Sequence, residues 1–292
     1  MNKEFNKGLL LAGFGSFWWG FFGVLYFKYI TFIGYIELVI HRCLWTTLTL
    51  ILTTFFFSKW DIFFKIIKSK QNLIYLFVSG FLIFINWGVW IYAIATNRII
   101  DASFGYFIMP ILSVLLGYIF FKEKLNNKRI FSITLVILSI LYLIFVSLKS
   151  LPWVGIIVAL SWGFYNLVRK KINVDTDIGL LIESLFILPI AIIVFYIIAA
   201  KGYNDFSLSN PSMMLIIFLA GPMTVIPLFL YVRGVELCGL GPAGMIFYIT
   251  PTLQFLLGFF YYDEVFSFNK LVSFIIIWVA VIIYLRDLYE TN

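Results

Sequence analysis

Residues 102–123 read ASFGYFIMPILSVLLGYIFFKE, and residues 243–264 read AGMIFYITPTLQFLLGFFYYDE. Set 141 positions apart, Ala102, Ile108, Pro110, Leu112, Leu115, Leu116, Gly117 and Glu123 fall on Ala243, Ile249, Pro251, Leu253, Leu256, Leu257, Gly258 and Glu264. Upstream, Trp19-Gly20-Phe21 returns as Trp162-Gly163-Phe164. The chain is therefore two copies of one unit, residues 1–148 and 149–292. A repeat of this length is one supersecondary assembly that packs against its copy.

Hydrophobic residues make up 63% of the chain and charged ones 12%. A soluble domain carries about 25% charged residues. Folded in water, this chain would present an apolar surface, so the bilayer is its natural solvent. The net charge of +7 does not point to nucleic acid, because the basic residues sit in short clusters between apolar runs. The two cysteines, Cys43 and Cys238, are too few and too far apart for a disulfide framework or a zinc site. The apolar run from about Gly8 to Phe27 exceeds the roughly 7–15 residues of a signal-peptide core and reads as a span.

A membrane-crossing helix needs about 20 mostly apolar residues. Runs that qualify fall at 8–27, 32–57, 72–95, 101–121, 130–148, 152–168, 178–200, 212–232, 240–262 and 270–287. The expectation is an all-α integral membrane protein of ten transmembrane helices, five per copy. With the N-terminus inside, fifteen Lys and Arg residues fall in inner segments and five in outer ones, leaving Arg42 within a span. That bias puts both termini in the cytoplasm. Five is odd, so the second copy enters the membrane from the opposite side and the two repeats are inverted. Inverted repeats are the architecture of alternating access, with a substrate held near the midplane. Between the second and third runs, Trp60 to Lys68 puts Ile62, Phe63, Ile66 and Ile67 on one side and reads as an amphipathic helix on the inner surface.

Ionisable residues that remain inside spans are costly and mark functional sites. The second run holds Glu37, His41 and Arg42. Glu37 and His41 are four apart and share a helix face. Together with Arg42 they form a candidate grip for a zwitterion, or Glu37 and His41 a proton relay. The alternative is a structural ion pair, with Arg42 as a packing or gating residue. Glu183 is the positional counterpart of Glu37, so that one carboxylate is expected at each mouth of a pathway; the alternative is a helix cap. His41 has no counterpart in the second copy, where Ile187 stands.

Asn86 and Trp90, with Ala93 and Asn97, face one way and are candidate cavity walls, against an alternative role in interhelical bonding. Trp19 and Trp162 open the two copies as candidate pathway walls or core. Pro110 and Pro251 lie at matched positions and are expected to break their helices at the centre of both repeats, a helix-break or gating role. Glu123 and Glu264 read as solvated caps, or as pairs with Lys124, Arg129 or Lys270. Arg169-Lys170-Lys171 reads as an inner-surface anchor. There is no phosphate-binding Gly-Lys-Ser/Thr loop, so direct drive by ATP is not expected. A single histidine without paired cysteines argues against a metal site, and no cofactor is expected.

These blocks carry a resemblance. Glu37 to Trp45 (ELVIHRCLW), Asn86-Trp87, Ala102 to Pro110 (ASFGYFIMP), Phe164 to Ile172 (FYNLVRKKI), Leu181 to Glu183 (LIE), Tyr248 to Leu257 (YITPTLQFLL) and Trp278-Val279-Ala280 resemble the RarD branch of EamA-type permeases, in the drug/metabolite transporter superfamily. Met109 and Thr250 depart from the Asn or Gly that the pattern has before its prolines. The resemblance implies two inverted EamA repeats, a central cavity and location in the bacterial inner membrane. It implies a non-enzymatic secondary exporter of small metabolites, amino acids or amphipathic drugs; the Glu37–His41 relay reading adds a proton or another ion as a candidate coupling partner. Facilitated uptake or exchange, and a membrane receptor or scaffold that transports nothing, are the alternatives.

Overall fold

A computed structural model of the chain describes residues 3–96, 99–147, 153–206, 211–261 and 268–291. Among these, every regular element is helical. The first half runs α1 (Lys3–Trp18), a π-helical turn (Trp19–Gly23), α2 (Val24–Tyr29), α3 (Tyr35–Phe56), α4 (Trp60–Ile67), α5 (Lys70–Ala95), α6 (Ile99–Phe121) and α7 (Asn127–Ser147). The second runs α8 (Trp153–Lys171), α9 (Thr176–Ala200), α10 (Pro211–Phe218), α11 (Ala220–Cys238), α12 (Leu240–Ile246), α13 (Ile249–Phe260) and α14 (Phe268–Thr291). Asn97, Glu264 and the junction between the proposed repeats lie outside the described residues.

Seven helices among the described residues are long and apolar enough to cross a membrane. The expected fourth, sixth and ninth spans are not among them. The fourth is a shorter apolar helix over Gly105–Phe121, the sixth (α8) ends in three basic residues, and the ninth is divided between α12 and α13. Phe14, Phe55, Ile119, Phe145, Ile193 and Ile282 point outward, Phe145 with 83% of its surface exposed. Such a surface matches lipid and mismatches water.

Helix pairing is unchanged when the halves are exchanged. α1 packs on α11 as α8 packs on α5; α6 packs on α8 as α12 and α13 pack on α1 and the π-turn; α3 packs on α11 as α9 packs on α5. The remaining large pairs join counterparts directly: α3 with α9, α6 with α12, and α7 with α14. Individual residues repeat this. Trp19 meets its counterpart Trp162 at 6.0 Å between ring centroids, and Tyr106 meets Phe247 at 5.7 Å. The Tyr248 hydroxyl donates to the carbonyl of its counterpart Phe107 at 2.9 Å. A residue that touches its own counterpart lies on whatever axis relates the copies, so these three pairs mark the centre.

The matched prolines act differently. α6 continues through Pro110 as one helix. In the second copy α12 stops before Phe247 and α13 starts at Ile249, with Pro251 in its first turn. Pro251 has no N–H to return to Phe247. The Phe247 carbonyl instead accepts the Thr250 N–H at 2.9 Å, a tighter bond that offsets the two segments. The expected break is therefore present in one copy only. α4 forms as expected, but Ile66 is buried with Leu76, Ile178 and Ile182, so its apolar face rests on protein at the ends of α5 and α9.

Association of helices in lipid relies on close packing of small residues. On α1, Gly8, Ala12 and Gly15 are buried, and Gly234 of α11 lies against them. A Cβ at Gly234 would stand 2.6 Å from the Ala12 backbone nitrogen and 2.8 Å from the Gly8 carbonyl oxygen, neither of which can yield. Gly234→Ala is therefore expected to destabilise the protein by about 1–3 kcal/mol. This is read as a lower thermal midpoint of the full chain in detergent; an unchanged midpoint would show that α1 and α11 have slack between them.

Candidate functional site

Three polar groupings lie along the helices that join the halves. Two sit at opposite ends of α3 and α9. Glu37, near the start of α3, accepts the backbone N–H groups of Asp205 (2.6 Å) and Phe206 (2.9 Å), which follow the end of α9. Asp205 accepts in return from the Gly34 N–H at 2.8 Å. At the other end Lys59, just past α3, pairs with Asp177 in the first turn of α9 at 2.6 Å. The two helices are thus antiparallel, and Glu37 and Glu183 belong to opposite ends.

At the first end, His41 lies 3.3 Å from Glu37, and its ring packs on Phe195 and Phe206 at 5.3 and 4.7 Å. Both residues are buried, and Glu37 spends its oxygens on the segment after α9 as well as on His41. A carboxylate accepting backbone N–H groups contributes about 1.5–3 kcal/mol per bond to a charged partner.

At the second end, Glu183 accepts from the hydroxyls of Ser79 (2.5 Å) and Tyr165 (3.2 Å) and pairs with Arg169 at 3.5 Å. Arg169 also reaches the Thr176 carbonyl at 3.2 Å and Glu236 at 3.8 Å, and Glu236 pairs with Arg233 at 2.8 Å. Lys170 donates to the Val235 carbonyl at 3.0 Å. Gly179 leaves room for the guanidinium, because a Cβ there would collide with it. Arg169 is 1% exposed, not a surface anchor. Its partners come from α9 and α11, and they turn it inward.

The third grouping is central. Arg42 is fully buried, and its Nε donates to Thr224 Oγ1 of α11 at 3.0 Å. Four rings surround the guanidinium carbon: Trp87 at 4.5 Å, Phe27 at 4.8 Å, Trp19 at 5.2 Å and Trp90 at 5.9 Å. Trp19 and Phe27 are eight residues apart, which on a uniform α-helix sets them about 80° out of phase. The intervening π-turn takes up about one extra residue and brings both rings over the same guanidinium. Through Trp19 the box continues to Trp162, which stacks on Tyr165 and touches Tyr231 and Phe247. A cavity of about 10 Å³, room for about one water, is lined by Phe27 and by residues including Thr31, Tyr35, Leu38 and Ile91. Arg42, Trp19, Trp87 and Trp90 are themselves buried.

The residues singled out by sequence therefore separate. Trp19, Trp90 and Arg42 come together, and Trp162 adjoins them. Glu37 with His41 and Glu183 form the two ends. Asn86 donates to the Val158 carbonyl (3.0 Å) and to Ser161 (3.1 Å), tying α5 to α8. Sequence reading missed Trp87 and Thr224 as partners of Arg42, and Glu123 as more than a solvated cap. Glu123 accepts the Leu240 and Gly241 N–H groups at 2.8 Å each, at the start of α12. Among the described residues no group of three or more His, Cys, Asp or Glu gathers that could hold a metal ion.

The profile of the EamA-like transporter family matches residues 6–145 and again residues 150–286. The chain is 33% identical to Uncharacterized transporter YojE of Bacillus subtilis, over 97% of this chain and 95% of that one. It is also 33% identical to Protein RarD of Escherichia coli, over 99% and 97%. A solved crystal structure at 13% identity superposes with a TM-score of 0.69 over 95% of this chain and 96% of the other, a likeness of fold. The chain belongs to the EamA-like transporter family and is of the RarD type.

Breaking a buried ion pair costs about 3–5 kcal/mol, because the remaining charge has no partner. Arg169→Gln is therefore expected to lower the thermal midpoint sharply, and adding Glu183→Gln to recover much of the loss. If the double variant loses as much as the sum of the two singles, the residues do not act as a pair. Glu37→Ala is expected to speed amide hydrogen exchange at Asp205 and Phe206 selectively, measured by mass spectrometry. Exchange rates that stay at the parent's value would show that the carboxylate does not hold this segment.

Proposed function

We propose that this EamA-like protein is a secondary transporter of the bacterial inner membrane. It crosses the bilayer ten times as two inverted five-helix repeats, residues 1–148 and 149–292, with both termini in the cytoplasm. In this reading it is a carrier, not an enzyme, and exports small metabolites, amino acids or amphipathic drugs by alternating access. The observation that carries the reading is a buried aromatic centre flanked by two separate polar knots on the same antiparallel helix pair. Opening towards one side requires release of Glu37 from Asp205 and Phe206. Opening towards the other requires release of Arg169 from Glu183 and Glu236. The centre between them is aromatic and shared by both repeats, so either half can pivot about it.

Support for ten crossings comes from the helix pairing, which treats α6, α8 and the α12–α13 pair as equivalents of longer helices. Support for inversion comes from the antiparallel course of the counterparts α3 and α9. Support for the orientation comes from the basic residues, concentrated in segments that this topology places inside. The Glu37–His41 pair is where a coupling proton would be held, since it is the one buried carboxylate–imidazole contact among the described residues.

Proteoliposomes holding the full chain are expected to show saturable counterflow for at least one amino acid, amine or amphenicol. Everted vesicles are expected to accumulate that compound when right-side-out vesicles do not. Flux no greater than that of protein-free liposomes across all three classes would overturn the reading, and accumulation only in right-side-out vesicles would reverse its direction.

A further inference from the structure

The centre has a surplus of hydrogen-bond donors. Arg42 Nη1 and Nη2 and the Trp87 indole nitrogen are all buried and all without a hydrogen-bond acceptor among the described residues. Thr224 already accepts from Arg42 Nε. No ion pair to Arg42 occurs among the described residues, whereas the buried Arg169 has two. Ring faces attract a guanidinium but supply no acceptor atoms. A buried cation held only by rings and one hydroxyl lacks the paired charge that usually accompanies it.

Nor is the cation repeated. The position matching Arg42 in the second copy, by the register that pairs Glu37 with Glu183, is Leu188. The helix α9 that carries Leu188 packs on its neighbours as α3 does. Leu188 is half-buried where Arg42 is fully buried, and the guanidinium belongs to the first copy alone.

We propose that Arg42 is the receptor for the carboxylate of the transported compound, an organic monocarboxylate with an aromatic or branched apolar body. This rests on the transport reading above and names its substrate class. Each part of that description has a source in the geometry. Nε is spent on Thr224, which leaves Nη1 and Nη2 as a two-pronged fork, the shape that a carboxylate fills with two parallel bonds. One cation balances one negative charge, which favours a carboxylate over a phosphate dianion. The walls at Trp19, Phe27, Trp87 and Trp90 are rings, which favour an apolar body beside the acid. Arg42 and these rings are buried, so the site would load when the Glu37 knot or the Arg169 knot releases.

The test uses the full chain in lipid nanodiscs and three matched probes: 3-phenylpropionate, 3-phenylpropanol and 3-phenylpropylamine. Binding is followed by quenching of tryptophan fluorescence and by calorimetry. The carboxylate is expected to bind, and the alcohol and amine at least about tenfold more weakly. Arg42→Met is expected to weaken carboxylate binding by about tenfold or more, and Arg42→Lys by less, because it keeps the charge and loses the fork. Selectivity is measured on the parent protein, so it decides even if Arg42→Met does not fold. Amine or alcohol binding equal to that of the acid, or acid binding unchanged in Arg42→Met, would overturn the proposal. Saturable transport of amines alone, unaltered in Arg42→Lys, would leave the carrier standing and remove the carboxylate. Arg42-dependent binding of the acid without flux of any compound would do the reverse.

Discussion

The contact on which the rest of this structure depends is that of a residue with its own counterpart. Two copies joined about a common centre must place like against like there. A carboxylate cannot meet a carboxylate in low dielectric without great cost. An aromatic ring can meet another at a tilt and gain from it. The residues that touch their counterparts are accordingly Trp19 with Trp162, Tyr106 with Phe247, and Phe107 with Tyr248. The matched carboxylates Glu37 and Glu183 lie at opposite ends of the α3–α9 pair. Symmetry thus sorts the chemistry: rings to the middle, acids to the ends.

At each end the acid is satisfied differently, and this separates the halves. Glu37 holds the backbone of Asp205 and Phe206, so its knot ties a helix to a connecting segment. Glu183 holds side chains from α5 and α8, and its knot ties helix to helix through Arg169. The first can loosen by moving a few residues; the second requires a helix to move. Between them, Arg42 occupies a position that the second copy gives to leucine. The frame is common to both copies and the polar chemistry is not.

Much of the frame was legible in the sequence because it depends on short-range signals. The repeat, the apolar runs and the proline positions all repeat in register, and the helices form where the runs lie. What the sequence concealed was set by partners remote along the chain. Arg169 looks like one of three basic residues at a helix end, yet Glu183 and Glu236 bury it. Asn86 looks like a mid-span amide free to line a cavity, yet Val158 and Ser161 take its donors. Pro110 and Pro251 are matched in sequence, but the helix stays continuous at the first and divides at the second. Arg42 was visible as a charge within a span, but its box of rings draws on the π-turn, α2 and α5, and no spacing rule brings these together.

The π-turn between α1 and α2 gives its segment an uncommon kind of specification. Over Trp19–Gly23 the backbone fits one more residue per turn than an α-helix, and this sets the direction of everything that follows. What matters there is the number of residues as well as their identity. Exchanging Phe21 or Phe22 for another large apolar residue would leave the phase of α2 intact. Deleting either would rotate α2 by about 100° and carry Phe27 off the guanidinium while Trp19 stayed in place. In this stretch the chain stores a direction as a length.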